Sequence, residues 1–345
     1  PELYINFFDG IVDMGSLKNL NNQLNGCQIS DFKECASDDC HWVSEYLGKA
    51  ELKARTPYKR PFALLNGSRD FQGLVFNCKQ SPKKPIHIFY FGDREIDITL
   101  RHLVKVANDA ELNIIEHFSG PGKVNVVLEG FLDTNAILNH NRLVNSCVSN
   151  SVITHFFINC MTSASVKTVS INLGDSAVRN ETFLSLDGSG CMATVAGIGV
   201  GYSSRSICDN TVFISHLEKG SKSRQIIKNV LSKGATAVFQ GKIFVDSKAQ
   251  KTDGYQMSNG LLLDDNSEFL VKPELEIYAD DVVCSHGSTS GSIDKEYLFY
   301  LQSRGISERE AKRILIQAYL EEVIEEIEDP EFGKILREEI HKILV

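Results

Sequence analysis

The 345-residue sequence has no Cys-x-x-Cys, no apolar run near the ~18 residues a membrane span needs, and no cluster of five or more basic residues. Each absence removes a class. Nine cysteines stand singly at 27, 35, 40, 78, 147, 160, 191, 208 and 284. Their odd number and their spacing fit neither a disulfide framework nor a zinc finger, so free thiols in a reducing cytoplasm are expected. The lack of a long apolar run sets a membrane span aside. The lack of basic clusters, with a net charge of −9, sets nucleic acid aside. There is no Gly-x-x-x-x-Gly-Lys-Ser/Thr loop, so the chain is not expected to bind ATP. The opening Pro1-Glu2-Leu3 has neither a basic leader nor a Met and reads as the start of a trimmed chain rather than a signal peptide.

What is present is a repeat. Asn108-Asp109-Ala110-Glu111-Leu112 aligns with Thr134-Asn135-Ala136-Ile137-Leu138, Thr162-Ser163-Ala164-Ser165-Val166 and, more loosely, Ser189-Gly190-Cys191-Met192-Ala193. The small residue recurs at 110, 136, 164 and 191, in steps of 26, 28 and 27. Each unit leads into a β-rich run, and second strands fall between them, at 124–128, 152–158, 182–186 and 212–214. A period in this range with no helical pattern inside predicts stacked β coils, with an ordinary β-sandwich as the alternative. The alternation of Val124, Val126 and Leu128 with Asn125 and Glu129 predicts one dry face and one wet face.

Chemistry-bearing residues are sparse. Cys35, Cys40 and His41 lack metal-finger spacing. Gly197, Gly199 and Gly201 lie within the β repeats and read as packing glycines. A β coil could also belong to a carbohydrate-active enzyme, which needs paired acids on one face. Asp280-Asp281 is the one attractive pair, and neighbours on a strand point to opposite faces. Cys284 and His286, at i and i+2, share a face and could reach one metal or cluster. On residue chemistry alone, a buried thiol beside a hydrogen-bonded histidine is the simpler reading. Beyond them the chain turns helical. Ser307 and Glu310 form a capping-box pattern, and Ala311, Ile314, Leu315, Ala318 and Tyr319 make an apolar stripe. The acidic run Glu321 to Asp329 reads as a solvated helix face.

Several blocks in fixed order then carry a resemblance. They are Phe239-Gln240-Gly241-Lys242-Ile243, Gln250-Lys251-Thr252-Asp253-Gly254, Lys272 through Asp281, Cys284-Ser285-His286-Gly287 and Leu298 through Ile306. Over residues ~60 to 328 the chain resembles the SufB/SufD family, scaffolds of SUF iron–sulfur cluster assembly. The Cys-Ser-His-Gly block is similar to the SufD branch, where SufB-like chains read more like Glu-His-Glu-Ala. No cysteine stands between Asn210 and Lys272, where a SufB-type paralogue would want one. The resemblance implies a mainly β protein with a right-handed parallel β-helix core. It implies a mixed or helical region over 1–80, the core over 81–291, and a helical ATPase-docking domain over 292–345. It further implies no catalysis by the chain itself, pairing with SufB through the β-helix, and SufC bound by the C-terminal helices through Tyr300, Arg304, Ala311, Leu315 and Tyr319. SufS and SufE would donate sulfur indirectly, and the isolated chain could form a homodimer. His286 would serve an iron or cluster site shared with SufB, with Cys284 in the same block. No tightly bound cofactor is implied for the isolated chain, only transient iron or cluster, with reduced flavin associated with the complex.

Overall fold

The computed structural model describes residues 3–35, 41–54, 60–68, 72–92, 96–120, 122–145 and 150–344. The elements are β1 (Leu3–Phe8), β2 (Ile11–Val12), α1 (Met14–Asn21), β3 (Cys27–Asp31), α2 (His41–Tyr46), α3 (Lys49–Lys53), α4 (Pro61–Gly67), β4 (Leu74–Cys78) and β5 (Ile86–Phe91). Then follow β6 (Asp97–Val106), β7 (Glu111–Ser119), β8 (Gly122–Leu132), β9 (Ile137–Asn145), β10 (Asn150–Cys160), β11 (Ser165–Leu173), β12 (Ala177–Leu186) and β13 (Met192–Gly201). The chain continues through β14 (Ile207–His216), β15 (Lys222–Leu231), β16 (Thr236–Val245), β17 (Thr252–Leu262), β18 (Glu268–Ile277) and β19 (Val282–Gly291). It closes with α5 (Lys295–Ser303), α6 (Glu308–Ile324) and α7 (Pro330–Ile343).

From β4 onward successive strands alternate between two parallel sheets, one running β19-β17-β15-β13-β11-β9-β7-β5-β1-β2 and the other β18-β16-β14-β12-β10-β8-β6-β4-β3. This is a parallel β-solenoid of about seven turns. The repeat seen in the sequence is its corner. Asp109, Asn135, Ser163 and Gly190 each adopt a left-handed conformation, with φ of 60°, 58°, 59° and 70°. The next residue in each case, Ala110, Ala136, Ala164 or Cys191, is buried. Amides at the corner bond to the corner above: Asp109 N–H to the Thr134 carbonyl, Asn135 to Thr162, Ser163 to Ser189, Gly190 to Lys219. A left-handed turn favours Asp, Asn and Gly, and the residue after it must be small to fold inward, which is why the pattern survives in sequence.

The solenoid begins earlier than the sequence indicates. β1 pairs in parallel with β5, and β4 with β6, so strands from the first 80 residues belong to both sheets. The antiparallel strands β2 and β3 close that end. The face of β8 read as wet is also covered. Glu129 is fully buried under α2–α4, where it accepts from Arg101 at 2.6 and 2.9 Å and from the Gly48 amide at 2.9 Å. Asn125 donates to the Phe62 carbonyl at 2.9 Å, and Trp42, Tyr46 and Phe131 make a chain of edge-on rings there.

On the opposite sheet, α6 and α7 fold back along the solenoid. Ile316, Leu320, Val323, Phe332, Leu336 and Ile340 bury against the outward residues Ile115, Leu143, Val169, Ile171, Ile198 and Val230. The acidic run supplies anchors as well. Glu322 meets Lys228 at 2.6 Å, and Glu328 and Glu326 meet Lys167 at 2.6 and 3.3 Å. Ser307 caps α6 by accepting from the Glu310 amide, as the sequence implies, but the Glu310 carboxylate turns to Arg313 instead of reaching back. Among the described residues, no helix is long and apolar enough to cross a membrane.

Candidate functional site at the open end

At the far end, the chemistry of the last coil differs from the rest. β18 and β19 are terminal strands, and among the described residues nothing pairs with their outer edges. Leu270 and Val283 are 54% and 72% exposed there, high values for apolar side chains on a sheet. Such an edge presents free amides and carbonyls to any strand that can align with it.

Cys284 and His286 lie on β19, in register with Gly254 and Gln256 of β17. Gly254 and Gln256 alternate as buried residues with the part-exposed Asp253 and Tyr255, so this register points inward toward the solenoid axis. Cys284 is half-buried against Ile243, Val245, Ala249 and Ala279. Burial raises its thiol pKa, partly offset by the Gly254 backbone. His286 is exposed at the mouth of the coil. The shared face expected from i, i+2 spacing is thus present in the strand, with the sulfur seated deeper than the imidazole. Among the described residues, no group of three or more His, Cys, Asp or Glu converges as a metal would require. A tetrahedral metal site takes four ligands, so one thiolate and one imidazole do not by themselves make one.

The other expected site residues separate into two sets. Tyr300 and Arg304 are exposed, with the guanidinium 5.2 Å from the Tyr300 ring centroid and donating to its hydroxyl at 3.2 Å. α5 has no buried residue, and Tyr297 and Phe299 are also exposed on it. By contrast, Ala311 is fully buried and Leu315 is partly buried. The Tyr319 ring packs on Lys228 at 4.8 Å, and the Lys228 ammonium donates to the Tyr319 carbonyl at 2.7 Å. Ala311 and Tyr319 therefore serve contacts within the chain, and the outward face belongs to α5. Cys40 lies outside the described residues; Cys35 packs in the cluster under α2–α4.

A buried polar network inside the coil was not legible in sequence. Glu116, fully buried, accepts from the Tyr90 hydroxyl at 2.6 Å, from Arg142 at 2.9 Å and pairs with His140 at 2.8 Å. Arg142 continues to Thr154 at 2.8 Å, Thr154 to Asn180 at 2.8 Å, and Asn180 to Asn210 at 3.1 Å. Burial pushes the Glu116 carboxyl up, but Arg142 and His140 outweigh it and hold it well below the usual range. Burial pushes His102, which meets Tyr90 at 2.9 Å, down to about 4. It does the same to His216, and to His117 with help from His87.

These histidines give a pH prediction. With folded pKa values near 4 against 6.5 when free, the unfolded chain binds more protons between those values. Stability then falls as pH drops from about 6.5 toward 4, at up to ~1.4 kcal/mol per pH unit per histidine. Thermal melts at stepped pH values check this. A melting temperature flat between about pH 7 and 5 would show that the three sites do not titrate in this way.

The fold and its open end define a parallel β-solenoid whose last coil has unpaired strand edges and carries Cys284 and His286 on one face. Residues 90–319 match the family model for the SUF system FeS cluster assembly, SufBD core domain. The chain belongs to this SufBD family of SUF-system iron–sulfur assembly proteins. It is 33% identical over 259 residues to "Iron-sulfur cluster assembly protein SufD" of Escherichia coli, covering 72% of this chain and 61% of that protein. It is 26% identical over 328 residues to a SufBD family protein of Synechocystis, covering 90% and 71%, and 29% identical over 276 residues to the chloroplastic ABCI7 of Arabidopsis thaliana, covering 76% and 58%. The chain thus spans less than two thirds of the E. coli and Arabidopsis proteins.

Proposed function

We propose that this chain is a non-catalytic, SufD-like scaffold subunit that completes an iron or cluster site together with a SufB-type partner. The observation that carries the reading is the coincidence, in one terminal coil, of unpaired strand edges and the Cys284–His286 donor pair. A partner strand aligned on that edge would bring its own donors to the two this chain offers. SufC would sit on α5, whose aromatic residues Tyr297, Phe299 and Tyr300 are exposed. SufS and SufE would supply sulfur to the assembled complex, and reduced flavin would enter only there. Iron or cluster is cargo in this reading, not a resident cofactor. The free thiols, buried at Cys27, Cys78, Cys160, Cys191 and Cys208, suit a reducing cytoplasm. Membership of the family displaces the carbohydrate-active alternative; the SufB-type alternative predicts that the chain alone would hold cluster.

Co-expression with SufB and SufC, followed by iron and sulfide analysis of the purified complex, is the direct test. His286→Ala is expected to leave assembly of the complex and its melting temperature nearly unchanged, because the imidazole is exposed, while iron content falls several-fold. Normal iron content in the variant complex would remove His286 from the site. Failure of the unaltered chain to co-purify with SufB would overturn the pairing; self-association through the same edge would then be seen as a homodimer.

A further inference from the structure

We infer that Cys27 and Cys78 form a redox-active dithiol, which closes to a disulfide by exchange with low-molecular-weight disulfides of the glutathione type. The two residues are direct partners in the antiparallel β3–β4 pair. Backbone bonding fixes which kind of partner position they hold. The Lys79 amide donates to the Gly26 carbonyl at 2.7 Å, and the Phe32 amide to the Gly73 carbonyl at 3.1 Å. Positions 26/79 and 32/73 are therefore hydrogen-bonded pairs, and by alternation 27/78 is a non-hydrogen-bonded pair. There the Cα atoms approach to about 4.5 Å, within the span a disulfide bridges.

Contact and access both fit. The Cys27 thiol is directed at the Cys78 sulfur, which favours the thiolate at Cys78. Both side chains are buried, yet a cavity of 530 Å³, lined by Gly26, Gln28, Asn77 and Lys79, opens onto Cys27. Nothing in the scaffold role described above uses either thiol, which lie at the opposite end of the solenoid from Cys284.

The exchange balances in two steps. The Cys27 sulfur attacks one sulfur of oxidised glutathione as its proton passes to the Cys78 thiolate it faces, forming a mixed disulfide and releasing one glutathione thiolate. Cys78 gives that proton to the released glutathione thiolate and then attacks the Cys27 sulfur, forming the protein disulfide and releasing the second glutathione thiolate, which takes a proton from water. Two protein thiols lose two electrons and two protons, and oxidised glutathione is reduced to two thiols. The product staples β3 to β4 and closes the segment carrying α2–α4, which covers Glu129 and Arg101.

The test equilibrates the full chain in glutathione buffers of graded oxidised-to-reduced ratio, then maps peptides without reduction. A Cys27–Cys78 linked peptide, with loss of two free thiols and a rise in melting temperature, is expected. Cys78→Ser should trap glutathione on Cys27, whereas Cys27→Ser should leave Cys78 unmodified, because the cavity reaches only the former. The wild-type map stands even if a variant folds poorly. Absence of the linked peptide at ratios where other cysteines exchange, or glutathione captured at Cys78 alone, would overturn the proposal.

Discussion

Arg142→Ala is expected to destabilise the fold by about 3–5 kcal/mol, among the largest single-residue effects in the molecule. The substitution leaves the Glu116 carboxylate buried, with His140 and the Tyr90 hydroxyl as its remaining partners. It also removes the donor to the Thr154 hydroxyl at the head of the Asn180–Asn210 relay. A buried ion pair is itself weak evidence for stability, since desolvation opposes the attraction. The cost arises when one partner is removed and the other stays. Glu116→Leu combined with Arg142→Met should therefore be far less damaging than either change alone, a coupling that a double-mutant cycle in urea measures. An Arg142→Ala chain within 1 kcal/mol of the parent, with the cycle closing additively, would mean that the network is not energetically linked.

Removal of residues 292–345 should have a still broader effect. Loss of α6 and α7 bares the outward row Ile115, Leu143, Val169, Ile171, Ile198 and Val230 on five successive strands of one sheet. A contiguous apolar face of this kind promotes self-association, so the truncated chain is expected to aggregate rather than persist as a folded core. The milder probe is Phe332→Ala, at the centre of that contact and 1% exposed, with an expected cost of about 3–5 kcal/mol. Light scattering on the truncation and chemical unfolding of Phe332→Ala make the measurement. A truncated chain that stays monomeric and melts like the parent would show that the helices are carried by the solenoid without supporting it.

The two sides of the molecule differ in how openly the sequence declares them. The corners were legible because a left-handed residue followed by a buried small one is demanded at the same place on each coil, at Asn135-Ala136 as at Ser163-Ala164. The strand faces were less so. Glu129 reads as solvent-facing by alternation, yet burial of that face depends on α2–α4, some 80 residues earlier in the chain. Glu116 and Arg142 are ordinary surface residues by type and satisfy each other only because their strands stack in register. At the open end, the spacing of Cys284 and His286 foretold a shared face, while their difference in depth depends on the packing of Ile243 and Ala279. The stripe on α6 was visible as a helix period, but which residues it spends on the sheet was not. Tyr319 turns inward because Lys228 of β15 receives both its ring and its carbonyl, and Ala311 is simply buried.

The fold-back of α6 and α7 also sets an order in time. β7 through β15 leave the ribosome well before residues 316–340 that cover them. At a synthesis rate of ~5–20 residues per second, the sheet's greasy side waits on the order of ten seconds for its cover. Nascent chains stalled near Gly291 should accordingly hold chaperones that those released past Ile340 do not.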